Sequence, residues 1–262
     1  MDLSSTGEIV AKPHSFHCGI EKAELSATRN NLSKEWGSSC GGHMNIAIVG
    51  DSFVQNMGEH IEKRNKLNFG LDENLFKIRL ATKSTAKIKD LEELFQSFKE
   101  PQHLLIIDLG LYDLGTRDTC ATKLADELFK ELLQIIKKYG VIHVIVLHAT
   151  PHLMAGRDIE PRHNYNNRCC EFNLRLQHLA FNHNDFSSVE HKKISIYNDT
   201  YLCDDGIHLN EKGNDVYIET IQKCVYQIGI PKLTADEDDE SGGPMADASS
   251  IEDSSYDVVM EY

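Results

Sequence analysis

The stretch Asn45–Ser52, reading Asn-Ile-Ala-Ile-Val-Gly-Asp-Ser, constrains this chain more than any other. An apolar run, Ile46 to Val49, stops at Gly50. Asp51 and Ser52 follow at once, and Phe53, Met57 and Ile61 then recur at helical spacing. The pattern predicts a buried strand, a tight turn and a helix. It puts a serine hydroxyl where the carboxyl end of a strand meets a helix N-terminus. Open α/β sheets bind their ligands at that edge, and the N–H groups of a helix start can hold an oxyanion there. Ser52 has a second, blander use as the helix N-cap. This stretch alone leaves both uses open.

The pattern continues downstream. Phe76–Ala81 reads as a second strand, and Ile88, Leu91, Leu94 and Phe95 give the next helix its apolar stripe. His103–Leu109 is a third strand, apolar on both faces as a parallel strand must be. Leu124, Leu128, Leu132 and Ile135 mark a long amphipathic helix, and Val141–Leu147 a fourth strand. Pro151, Gly156 and Pro161 make residues 148–163 a long loop. Phe172, Leu176 and Leu179 set a fourth helix, and Ile194–Tyr197 reads as a short fifth strand. Asn210 caps a last helix on Tyr217, Ile221, Cys224 and Ile228, stopped by Gly229 and Pro231. Five strands alternating with five helices imply a parallel sheet with right-handed crossovers.

This periodicity spans 44–231. Residues 1–43 mix Ser, Gly, Asn and charge without a sustained period and read as a flexible arm. Residues 232–262 read as a disordered acidic tail. The formal charge of −14 is mostly the tail's: residues 233–262 hold ten Asp or Glu and no Lys or Arg, leaving −4 for the rest. A near-balanced domain argues against a nucleic-acid partner. No apolar run reaches membrane-spanning length. Met1–Val10 has neither the basic start nor the apolar core of a secretory signal. Seven cysteines without regular spacing read as reduced thiols, so an intracellular, probable cytoplasmic address is the expectation. Cys18 and Cys40 with His17 and His43 are too widely spaced for an ordinary zinc site. His148 and His152 flank Pro151 and cannot share a regular helix face, so no metal is expected.

The chemistry gathers near the end of the domain, in Cys203-Asp-Asp-Gly-Ile-His208-Leu-Asn-Glu-Lys-Gly213. Asp205 and His208 stand three apart across a turn. A carboxylate at that spacing reaches one ring nitrogen and leaves the other facing outward. A histidine so held has a fixed tautomer and can take a proton from a serine. Asp-x-x-His alone is a weak signal, but a serine at the carboxyl end of the first strand makes it a strong one.

With both segments in view, the chain resembles the SGNH (GDSL-like) hydrolases. Gly50-Asp51-Ser52 is similar to the first block of that family. Asp205-Gly-Ile-His208-Leu-Asn210, then Lys212-Gly213, is similar to the last. The resemblance runs over roughly 44–230 and includes the order of elements. It implies a flavodoxin-like three-layer α/β/α sandwich with a five-stranded parallel sheet in the order 2-1-3-4-5. It also implies esterase chemistry without a cofactor on a small-molecule ester, with Ser52 as nucleophile, His208 as base and Asp205 as its orienter. The Gly-x-Ser-x-Gly elbow of the α/β-hydrolases is absent.

Two blocks depart from the family. Its oxyanion glycine is missing from Thr82-Lys-Ser-Thr85-Ala-Lys-Ile88, where Thr85 is the nearest counterpart and Ser84 the alternative. Its Gly-x-Asn-Asp becomes Gly110-Leu-Tyr112-Asp113, so a phenol replaces the side-chain amide. Losing one oxyanion donor costs about 10²–10³ in turnover. The expectation is therefore a serine esterase with an altered oxyanion hole, Thr85 and Tyr112 standing in for the lost donors. The alternative is an inactive relative that keeps the pocket as a binding module. The sequence leaves substrate and oligomeric state open.

Overall fold

The computed structural model describes residues 43–116, 119–152, 162–194 and 199–229. The acidic tail, nearly all of the N-terminal arm and most of the 148–163 loop lie outside them. Strands β1 (Met44–Gly50), β2 (Phe76–Thr82), β3 (Leu104–Asp108), β4 (His143–Leu147) and β5 (Phe186–Val189) form one sheet in the order β2-β1-β3-β4-β5. Every neighbouring pair is parallel. The helices are α1 (Ser52–Lys63), α2 (Leu91–Gln96), α3 (Leu111–Leu114), α4 (Ala121–Tyr139), α5 (Arg162–Phe181) and α6 (Glu211–Gly229).

Composition accounts for the layering. β3 and β4 are buried at every residue, and β1 at every residue but Asn45. Strands apolar on both faces need cover on both, and helices supply it. α1 packs with α6, while α2 packs with α4 and α4 with α5, which gives a three-layer α/β/α sandwich. In α4 the expected stripe of Leu124, Leu128, Leu132 and Ile135 is buried, together with Ala125 and Phe129. Because β1 has β2 on one side and β3 on the other, the order of winding reverses at β1, and in such sheets ligands bind at the carboxyl ends of the strands beside that point.

The fifth strand is not where the apolar pattern puts it. Phe186–Val189, Phe-Ser-Ser-Val, pairs with β4 from Val144↔Phe186 to Leu147↔Val189. It is an edge strand, and its two serines sit beside histidines: Ser187 Oγ lies 2.9 Å from His143 Nε2, and Ser188 Oγ 2.8 Å from His148 Nε2. A strand whose middle is polar hides from a search for apolar runs. Ile194, the proposed start of that strand, is buried but lies in a loop after β5. Residues 195–197 lie outside the described ones. The short helix α3 also escapes the periodicity, being a single turn. Among the described residues no helix is long and apolar enough to cross a membrane, and the cysteines, Cys169 and Cys170 included, are free.

Candidate active site

The turn from β1 into α1 is capped by Asp51, not by Ser52. Phe53 N–H donates to Asp51 Oδ1 at 3.0 Å, and Ser52 is the first helical residue. The capping use of Ser52 is thus taken by its neighbour. The Ser52 hydroxyl instead lies 3.2 Å from His208 Nε2, a contact across 156 residues of chain.

His208 is held by its own loop. Leu202 and Leu209 form an antiparallel bridge that closes the loop. Inside it Cys203 N–H donates to His208 O at 2.8 Å, and Gly206 N–H to Cys203 O at 2.9 Å. Asp205 Oδ1 accepts from the N–H groups of Ile207 and His208, each at 2.9 Å. Asp205 Oδ2 lies 2.6 Å from His208 Nδ1. A ring that donates from Nδ1 to this carboxylate keeps Nε2 free to accept from the serine hydroxyl. Partial burial raises the Asp205 pKa, but the His208 contact and the two backbone donors outweigh it and hold it below the usual carboxylate value. Asp205 is therefore an anion at neutral pH. The pair opens to solvent, with side chains 35% (His208) and 46% (Asp205) exposed.

Below the loop, Asn210 caps α6 as the sequence suggests. Its Oδ1 accepts from Gly213 N–H at 3.0 Å, and its amide donates to Thr200 O and Leu202 O at 2.8 and 2.9 Å. Gly213 lies against the backbone it braces, and a Cβ there would stand 2.1 Å from Tyr201 O and 3.0 Å from Leu209 Cβ. Carbonyl oxygens of a bridged turn have little room to retreat. Gly213→Ala is expected to destabilise the fold by about 1–3 kcal/mol. A thermal melt checks this, at roughly 2–4 °C of Tm per kcal/mol for a domain of this size. An unchanged Tm would show that the 199–202 turn yields freely.

The two expected oxyanion residues occupy the same edge of the sheet. Gly50 is in register with Thr82 on β2 and with Asp108 on β3, so the segments after both strands flank Ser52. Thr85 sits exposed in a tight turn, where Ala86 N–H donates to Lys83 O at 2.8 Å. Tyr112 is 44% exposed in α3. The preceding Gly110 has φ 112, and a Cβ on it would lie 2.9 Å from the Phe172 ring, so only glycine suits the position. Among the described residues no hydrogen bond joins Thr85 or Tyr112 to Ser52 or His208. The structure brings Ser52, His208 and Asp205 into contact and leaves the other two nearby.

Several further residues shape this edge. Asp113 Oδ2 accepts from Ile88 N–H at 3.0 Å and ties α3 to the segment after β2. Asp90 grips that same segment, accepting from Lys87 N–H at 2.9 Å and Lys83 Nζ at 3.1 Å. His152 stacks on Tyr165 with ring centroids 4.1 Å apart. Burial, with His208 adding to it, pushes the His152 pKa down to about 4. His148 turns instead toward β5 and its Ser188 partner, and burial pushes it down to about 4 as well. Asp51 and Asp108 are both buried carboxylates beneath the serine. A charged residue inside an apolar run was the available signal for Asp108. Among the described residues no cluster of three or more His, Cys, Asp or Glu is arranged to hold a metal ion.

No known protein-family profile matches the chain, and no curated protein matches it. Solved structures do share its fold. A GDSL-like lipase from Bacteroides thetaiotaomicron aligns with a TM-score of 0.56 at 13% identity, over 78% of this chain and 98% of that one. LAE5, an α/β hydrolase enzyme from the metagenome of Lake Arreo, Spain, aligns at 0.52 and 15% identity over 72% and 98%. The acetyl xylan esterase AlAXEase aligns at 0.50 and 16% identity over 70% and 100%. At these identities the likeness is one of fold: the chain has a fold resembling that of GDSL-type lipases and related hydrolases.

Proposed function

We propose that this protein is a serine hydrolase of esterase type acting on a small-molecule acyl or acetyl ester. The observation that supports it best is the chain of contacts Ser52 Oγ to His208 Nε2 at 3.2 Å and His208 Nδ1 to Asp205 Oδ2 at 2.6 Å. In this reading Ser52 Oγ attacks the ester carbonyl while His208 Nε2 takes its proton. Asp205 stabilises the imidazolium that results, without itself taking the proton. His208 then protonates the departing alcohol, leaving an acyl-Ser52. Water, deprotonated by the same ring, releases the acid and restores the hydroxyl. The oxyanion would draw on N–H groups at the start of α1, of which Ser52 N–H is one. Thr85 and Tyr112 would supply the remaining donors, in place of a glycine and an amide. That substitution implies a weakened oxyanion hole.

A fluorophosphonate probe tests the reading directly, because it phosphonylates only an activated serine. The expected result is one adduct, mapped to Ser52 by mass spectrometry and absent from Ser52→Ala. Folded protein that takes up no probe would favour the other reading, a binding module that keeps the pocket and has lost the reaction.

A further inference from the structure

Two carboxylates lie under the nucleophile that the reaction does not use. Asp51 and Asp108 are each 1% exposed and stand at the carboxyl ends of neighbouring strands, since Gly50 is in register with Asp108. Asp51 Oδ1 accepts from Phe53 N–H, while its buried Oδ2 has no partner. Asp108 Oδ2 accepts from the hydroxyl of Tyr217 on α6. The groups facing the pair are Tyr217 from α6 and Tyr165 from α5. The Tyr217 ring stacks on His191 at 4.3 Å, and burial pushes His191 down to about 3, so it is neutral at working pH. Neither tyrosine is a cation, and among the described residues no cation contributes to the balance at either carboxylate. Two adjacent buried anions without a counter-charge are too costly to coexist, and such a pair keeps a proton.

We propose that Asp51 and Asp108 share one proton at neutral pH and, as a positioning pair, use it to hold Ser52 in line with His208. The link to Ser52 is covalent and short. Asp51 precedes it, and both its carboxyl and its carbonyl are spent on the first turn of α1, the carbonyl accepting from Gln55 N–H at 3.0 Å. Loss of the shared proton sets two charges against each other. Asp51, with one oxygen unpartnered, is the side free to move, and movement loosens the cap that aims the serine. The effect on Ser52 rests on the hydrolase reading above, whereas the shared proton does not.

The sign of the pH dependence follows. Burial, then Asp108, push the Asp51 pKa up to about 8, and burial raises Asp108 too. The unfolded chain releases these protons near the ordinary carboxylate value. The pair's contribution to stability is therefore complete at low pH and is lost as pH rises to about 8. For one proton the folding equilibrium constant falls at most about tenfold per pH unit across that window. The test measures urea unfolding and p-nitrophenyl acetate turnover from acid to alkaline pH for the parent, Asp51→Asn and Asp108→Asn. Asparagine caps a helix well and accepts from Tyr217, so both variants keep the local hydrogen bonds. The expected result in the parent is a stability that declines from the ordinary carboxylate range up to about pH 8 and a kcat that falls near pH 8, both flattened in either variant. Parallel stability slopes in all three proteins would overturn the shared proton. Flattened stability with an unmoved kcat limb would overturn the positioning role alone. If no protein hydrolyses the ester at any pH, the hydrolase reading and the positioning role fall together, and the stability slopes still decide the shared proton.

Discussion

Ser52→Ala is expected to lower ester turnover by about 10⁴–10⁶ with the fold intact. The hydroxyl lies within hydrogen-bond distance of His208 Nε2, so in the proposed mechanism its removal leaves the base with nothing to deprotonate but water. The cap is made by Asp51, and α1 loses no hydrogen bond when Ser52 becomes alanine. His208→Ala is expected to cost a similar factor, because nucleophile and base act as one unit and their losses are not additive. Asp205→Ala is expected to cost less, since it orients and stabilises the ring rather than reacting. Steady-state p-nitrophenyl acetate hydrolysis, with circular dichroism to confirm folding, checks the set. Undiminished turnover in Ser52→Ala would remove Ser52 from the chemistry.

Tyr112→Asn is expected to raise turnover by about 10²-fold, through a side-chain donor regained at the oxyanion. Tyr112 follows the Gly110 turn at the end of β3 and is 44% exposed, so the change disturbs little packing. The gain belongs in kcat more than KM, because the bond strengthens only as negative charge develops on the carbonyl oxygen. If the tyrosine hydroxyl already serves as donor, Tyr112→Asn lowers activity and Tyr112→Phe lowers it too. In a binding module neither change creates turnover. Measuring the parent and both variants on p-nitrophenyl acetate separates the three outcomes. Silence in all of them, with the fold intact, would end the enzyme reading.

Much of this architecture is legible in the chain because the sheet is covered on both faces. Burial forces β1, β3 and β4 into continuous apolar runs, and α4 into a single stripe that spacing alone reveals. The local half of the site is legible for a similar reason, since Asp205 and His208 are three residues apart and Asn210 caps its own helix. What escaped is settled by tertiary partners. β5 is an edge strand whose serines sit beside His143 and His148, so its polarity makes sense only once β4 is in place. The Asp51–Asp108 pair reads as two ordinary carboxylates until strand register and Tyr217 bring them together. Thr85 lies in a turn and Tyr112 in the single-turn helix α3, and no spacing rule says where either exposed side chain points. Asp113 looked like the remnant of a block, and its actual bond to Ile88 N–H joins two segments 25 residues apart.

Asp205 and His208 belong to one loop closed by the Leu202–Leu209 bridge, whereas Ser52 arrives from the other end of the domain. In the proposed mechanism the nucleophile therefore meets its base across a long-range joint, held by the packing of α6 on α1 and by the Tyr217–Asp108 hydrogen bond. Should the C-terminal helix swing away, the sheet and the Asp205–His208 unit would each survive while reactivity vanished. If Ser52 is reactive, its reactivity thus reports on the docking of α6, a more local event than global unfolding.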